Sequence, residues 1–277
     1  MTEPVPALIP SWPTIPGIKF LLMGPAGSGK TYSLRTLMNT ELEVFAIFTD
    51  PHAMALFTDT DPERFHWVYV SPANPSWTAL VSNAMIINNY SYEDIAKRKD
   101  GMNKSDYAQF LTLLNTCANY KCQRTGKEYG PIDNFDTHKV VVVDHLTGLS
   151  IMARDLTIGA KPALHMGEWN VAMNQVERII TQFTANLMCH FILLAHIDKQ
   201  TDEIALKSKL VVNTLGHKLA PTIPANFADF VLAVKEGNKF KWNTLSAEAD
   251  LKAQNLPMSD SLPPDFVPLI QRWKQRV

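Results

Sequence analysis

Runs of consecutive apolar residues, rather than alternating ones, punctuate this chain. Phe20-Leu21-Leu22-Met23, Val44-Phe45-Ala46-Ile47-Phe48, Val140-Val141-Val142-Val143 and Phe191-Ile192-Leu193-Leu194-Ala195 each read as a strand buried on both faces. Such strands belong to a parallel sheet covered by helices. Trp67-Val68-Tyr69-Val70 predicts one more short strand. Between these runs the period becomes helical. Leu34, Leu37 and Met38 share one face, Tyr107, Phe110, Leu111 and Leu114 another, and Ala172, Val176, Ile179, Ile180, Phe183 and Leu187 mark an amphipathic helix over 169–187. Strands interleaved with helices predict an α/β fold with a mostly parallel sheet. Asp229–Val234, the turn Lys235–Asn238 and the alternating arm Lys239–Trp242 predict a C-terminal β-hairpin.

The organisation that follows has three parts. Residues 1–17 are rich in proline, which denies them helix or central strand and leaves an extended segment, with Trp12 expected to cover surface or stack on a base. Residues 18–250 form the core, interrupted by a long and largely polar stretch, 71–138, expected as an insertion or lid. Residues 251–277 are a proline-punctuated tail ending in Arg272, Lys274 and Arg276.

The chemistry concentrates where the first apolar run ends. Gly24-Pro25-Ala26-Gly27-Ser28-Gly29-Lys30-Thr31 fits the phosphate-binding pattern of glycine, four residues, then glycine, lysine and serine or threonine, and it stands between a strand and a helix. The glycines let successive N–H groups turn inward as an anion-binding nest. Lys30 reaches the β- and γ-phosphates, and the Thr31 hydroxyl can ligand Mg²⁺. The nucleotide site is therefore expected over Gly24–Thr31 with Tyr32, and its ligands are ATP and Mg²⁺. The valine run ends in Asp144, placed to hold the Mg²⁺ hydration shell. Asp50, just past the second strand, faces the ligand crevice and is the candidate to orient or deprotonate the attacking water; a turn residue before Pro51 is the alternative. His196 ends the strand expected beside the phosphate loop, where a γ-phosphate contact would let it report hydrolysis to the segment that follows. Lys199, three residues on, is a further phosphate candidate. That following segment, Gln200–Asn226, carries Lys207, Lys209, His217 and Lys218 with no acid after Glu203, and reads as a basic loop suited to a phosphate backbone or simply to solvent.

Composition narrows the picture. With 277 residues, 46% hydrophobic and 19% charged, a substantial folded core is expected. The net charge of −1 excludes a globally basic nucleic-acid binder and confines any such contact to a local patch. No apolar run approaches a membrane span, and the lack of a charged n-region before Pro16 argues against a secretory signal, so no membrane partner and a cytoplasmic setting are expected. Cys117 and Cys122 could be half a zinc site, but no second pair follows.

In layout the chain resembles the RecA-like P-loop ATPase core, and among such proteins the small phage core-only branch associated with single-strand annealing proteins. The resemblance rests on GPAGSGKT, VVVVDHLTGL, the GEWN segment heading a long helix, LLAHIDK, NTLGHKLAPTIPANFADF and NLPMSDSLPPDF, which together span most of residues 18–266. It implies ATP hydrolysis, binding of single-stranded DNA, self-assembly into rings or filaments, and a role in phage recombination or replication, with a single-strand annealing or single-strand binding protein as partner. By motif match it gives phosphate binding to Lys30 and Thr31, Mg²⁺ to Asp144 and γ-phosphate sensing to His196. Two departures stand out. Asp50 occupies a position where the wider RecA group usually has glutamate, and no separate DNA-binding domain is visible, so DNA contact must come from loops of the core. His145 stands where many AAA+ and helicase-type ATPases carry a catalytic glutamate. A P-loop kinase of a small metabolite and a nucleotide-dependent assembly module remain alternatives. The first would need a lid bearing several arginines, and 71–138 offers only Arg98 and Arg124.

Overall fold

The computed structural model describes residues 15–97, 104–161, 165–202 and 207–277. Most of residues 1–17, with Trp12, together with Arg98 and the 203–206 part of the basic segment, lies outside the described residues.

Each apolar run forms its expected strand: β1 (Lys19–Gly24), β2 (Glu43–Phe48) and β3 (Phe65–Tyr69), then, after the intervening segment, β6 (Lys139–Asp144) and β7 (His190–Asp202). The hairpin is β9 (Asp229–Glu236) and β10 (Lys239–Asn243). The sheet runs in the order β10-β9-β1-β7-β6-β2-β3, parallel except where β10 joins antiparallel to β9. Sequence-distant strands therefore flank β1: Gly24 pairs in register with His196 on one side, and Met23 with Leu232 on the other. The carboxyl ends of β1, β7, β6 and β2 come together at one end of the sheet, as ligand crevices in open α/β sheets do.

Alternate side chains of these strands fill two layers. On one face, Leu21, Met23, Val141, Val143 and Phe191 meet α5 (Leu146–Ile158) and α6 (Met166–Thr181). On the other, Phe20, Leu22, Val140, Val142 and Ile192 meet the turn after the phosphate loop and α8 (Val267–Lys274). The expected helix after the phosphate loop is short: α1 spans Lys30–Ser33 and tightens into a 3₁₀ stretch, Leu34–Asn39, which still buries Leu34 and Leu37.

Three readings change. The stretch 71–138 is not wholly peripheral. Its first part, α2 (Trp77–Asn89) and α3 (Tyr92–Ala96), is largely exposed, but α4 (Gln109–Ala118), the small hairpin β4 (Tyr120–Lys121) and β5 (Glu128–Gly130), and the 3₁₀ turn after it bury Phe110, Leu113, Tyr120, Cys122, Ile132 and Phe135 in the first core layer. Tyr120 donates its hydroxyl to the Ala46 carbonyl of β2 at 2.9 Å, anchoring the segment to the sheet. The apolar residues there are too widely spaced to show as a run, which is why the sequence looks polar. The segment Gln200–Asn226 is not a loop either. β7 continues to Asp202 and pairs antiparallel with β8 (Lys207–Val212), followed by α7 (Gly216–Thr222). Cross-strand pairing orders residues whose composition suggests a coil. The tail is also held in place: β11 (Lys252–Ala253) pairs with β9, and Phe266 sits edge-on to Phe20 and Trp242.

Candidate functional site

The phosphate loop leaves β1 at Gly24 and enters α1 at Lys30. Gly27 and Gly29 hold φ of 73° and 82°, a region that L side chains rarely adopt. Gly24 has a second reason to be glycine, because a Cβ there would lie 2.7 Å from Ser28 Oγ and 2.6 Å from the Ala233 carbonyl oxygen. Ser28 Oγ donates to the Pro25 carbonyl at 2.8 Å, closing the loop on itself. Lys30 is buried and donates to the carbonyls of Gly24 and Pro25, both at 2.8 Å. Burial pushes its ammonium down to about 8, partly offset by the Asp144 carboxylate. A bound triphosphate would replace those carbonyls with anionic oxygen and stabilise the charge that burial opposes.

Thr31 Oγ1 donates to Asp144 Oδ2 at 2.7 Å. The two expected Mg²⁺ residues, at the ends of different strands and far apart in sequence, are thus in direct contact. Asp144 is buried, and burial raises its carboxyl to about 6 against the opposing pull of Thr31 and Lys30. A buried carboxylate bonded to a hydroxyl and beside a lysine is a fitting donor set for Mg²⁺, which prefers hard oxygens and takes few protein ligands alongside substrate phosphates. Mg²⁺ held by Thr31 and Asp144 would supply charge neutralisation at the phosphates. Among the described residues no three His, Cys, Asp or Glu side chains gather to hold a metal, so Cys117 and Cys122 form no zinc site there.

Asp50, His145 and His196 border the same cleft of about 330 Å³ as Lys30, Thr31 and Asp144. Asp50 Oδ1 accepts the His52 N–H at 2.9 Å, and its carbonyl accepts the Ala53 N–H. Asp50 therefore forms the turn before Pro51 and also fronts the cleft. His145 Nδ1 accepts the Gly148 N–H at 3.1 Å at the start of α5, which places the ring proton on Nε2. Burial, reinforced by His196, pushes His145 down to about 4, so the ring is neutral near pH 7. The His196 ring stands edge-on to it, centroids 4.5 Å apart, and is lowered by burial and by Lys30. A neutral His145 whose Nδ1 is already bonded offers the cleft a proton donor, not a base.

One contributor escaped sequence reasoning. Thr49 Oγ1 donates to the Asp144 carbonyl at 3.1 Å and accepts the His145 N–H at 3.0 Å. A Cβ on Gly148 would come within 2.2 Å of Thr49 Oγ1, so that glycine makes the approach possible. Thr49 thereby locks the end of β2 to the end of β6 and fixes Asp144. The only sequence signal was its position beside Asp50.

The basic candidates sit apart from the cleft. Lys209, on β8, is half-exposed and paired with Asp250, and Lys218 is exposed on α7. Lys207 opens β8 and pairs in register with Asp202, while Lys199 is exposed on β7. The GEWN segment proves structural: Glu168 accepts the His165 N–H at 2.8 Å and Lys161 Nζ at 2.9 Å, capping α6.

Residues 16–248 match a family model described as an AAA domain. No curated protein matches. Among solved structures, the chain is similar to one described as the pCW3 conjugation coupling protein TcpA in its monomer form with ATPgS, at 11% identity and a TM-score of 0.35 over 95% of this chain. The chain spans 66% of that structure's length.

Proposed function

We propose, from the premise that this chain belongs to the AAA domain family and carries a P-loop ATPase domain, that its nucleotide cycle acts on single-stranded DNA. In this reading it is a Mg²⁺-dependent, DNA-stimulated ATPase of RecA-like type that assembles with copies of itself, works beside a single-strand annealing or single-strand binding protein, and serves phage recombination or replication in the host cytoplasm.

The observation that carries the reading is β7. It runs without a break from His196, paired with Gly24 of the phosphate loop, to the hairpin partner β8 that bears Lys207 and Lys209. A change in His196 on loss of the γ-phosphate is thus passed along one strand to a basic hairpin. The rival basic cluster, in the tail, is engaged internally as Lys209 is with Asp250, and among the described residues no strand links it to the phosphate loop. Lys274 pairs with Glu41, and Arg276 donates to Asn255 Oδ1 and the Gln254 carbonyl. Assembly is supported by the segment Ser71–Tyr92, which has no charged residue yet leaves Trp77, Met85 and Tyr92 exposed at 84%, 61% and 68%.

The experiment is ATP turnover with and without single-stranded DNA, read alongside particle size, for the wild type and for the variant with Lys207, Lys209 and Lys218 all changed to alanine. The variant should keep basal turnover, bind DNA more weakly, and flatten the plot of log affinity against log salt by roughly 0.7 per lost contact. Unchanged affinity and slope in the variant, with binding lost instead when Arg272, Lys274 and Arg276 are changed to alanine, would place the DNA on the tail. Absence of any DNA binding or stimulation in the wild type would favour a nucleotide-dependent assembly module.

A further inference from the structure

A larger cavity, of about 620 Å³, adjoins the phosphate cleft. The two spaces share three residues, Gly29, Tyr32 and Phe240. Any nucleoside triphosphate with its phosphates against Lys30 has its nucleoside either in solvent or across that shared threshold. We infer that the larger cavity is the nucleoside subsite, with Phe240 of the β9–β10 hairpin and Tyr32 as the aromatic walls that receive the base. This deepens the ATPase reading and rests on it.

Three features point there. First, Phe240 and Tyr32 are 41% and 61% exposed although both stand at the mouth of a cavity. Exposed aromatic rings bordering a cleft offer a π-face and apolar area to a flat heterocycle. Second, the hairpin is fitted to the loop. A Cβ on Gly29 would lie 3.0 Å from Phe240 Cδ1, so the ring rests on the backbone of the phosphate loop itself. The positive φ of 82° favours glycine at position 29, and the missing Cβ lets the ring come this close. Third, the rest of the cavity is polar and held firm. Arg35 is fixed by Asp59 at 2.7 Å and 2.8 Å and lies 5.9 Å from the Tyr32 ring centroid, while Arg64 donates to the carbonyls of Met38, Thr40 and Leu42. Apolar walls over a rigid polar floor suit a base and its ribose, and the volume lies within the usual range for small-ligand sites.

The test compares ATP with inorganic tripolyphosphate, each with Mg²⁺, by titration calorimetry on the full chain. Phe240→Ala should weaken ATP binding roughly tenfold, within the range of one base–aromatic contact, and leave tripolyphosphate binding unchanged. Phe240→Tyr should restore ATP affinity. Unchanged thermal unfolding of both variants confirms that the exposed ring is not structural. Equal weakening of both ligands, or of neither, would overturn the subsite. So would a wild type that binds tripolyphosphate as tightly as ATP. A wild type that binds neither ligand would instead remove the ATPase reading on which the subsite stands.

Discussion

The two ends of the sheet bury the same kinds of charge and do different things with them. At the amino end of β1, Lys19 is buried and donates to the carbonyls of Leu187 at 2.8 Å and Cys189 at 2.6 Å. At the carboxyl end, Lys30 is buried and also donates to two carbonyls. Burial drives both ammonium groups down to about 8. Each end also has a neutral histidine pushed down to about 4, His190 below and His145 above. His190 accepts the Ile18 N–H at Nδ1 and donates from Nε2 to the Thr137 carbonyl, and its ring meets Trp273 edge-on. A displaced pKa therefore does not single out the site. The difference is access: the lower groups are enclosed by backbone and rings, whereas the upper ones open on a cleft shared with Asp50, Asp144 and His196.

The comparison breaks most sharply at the lysines. Lys30→Ala should abolish ATP turnover and leave the unfolding midpoint nearly unchanged, since the loop carbonyls it releases can meet water. Lys19→Met should do the reverse, keeping turnover while costing roughly 1–3 kcal/mol for each carbonyl left unpaired. Steady-state kinetics and urea unfolding of the two variants decide it, and equal effects on both readouts would show that the ends are not functionally distinct.

Asp50 sharpens the upper end. If its carboxylate positions the attacking water, Asp50→Asn keeps nucleotide binding, because the Asn oxygen still caps His52, and lowers turnover by about 10²–10⁴-fold. A loss of a few-fold would reduce Asp50 to its turn.

Acid probes the lower end with the smallest effect. The His190 pKa is depressed on folding, so its contribution is complete above about 6.5 and is lost as pH falls toward about 4. The drop is worth about 3 kcal/mol. His145 contributes with the same sign over the same window. Asp144, whose pKa is raised, works oppositely, losing stability as pH rises from about 4 to about 6. His190→Gln should flatten the acid limb of a urea-midpoint profile while leaving ATP affinity at neutral pH unaltered.

What could be read from the sequence divides along the same line. Lys30, Thr31 and Asp144 were legible because their chemistry demands fixed residue types at the ends of apolar strands, and their placement together follows from parallel strand order. Lys19 was not, because nothing local marks a lysine as buried; its partners, Leu187 and Cys189, lie across the sheet in a distant turn. Phe240 and Thr49 were hidden for a similar reason, since each acts by touching a residue remote in sequence. The β7–β8 hairpin looked like a loop because its polar side chains obscure a pairing made by the backbone.

The position of β1 also governs the order of assembly. Its hydrogen-bonding partners are β7 and β9, so Lys19 waits for Phe191, and Phe20 for Asp229, before either edge is satisfied. Contacts so distant in sequence must overcome the entropy of closing very long loops before they contribute, which slows folding. On a ribosome, the phosphate loop emerges well before either of the strands that clamp β1. Until Asp229 has been synthesised, β1 keeps one row of backbone N–H and C=O groups unpaired beside its apolar side chains, and that interval is when the nascent chain is most in need of protection from its neighbours.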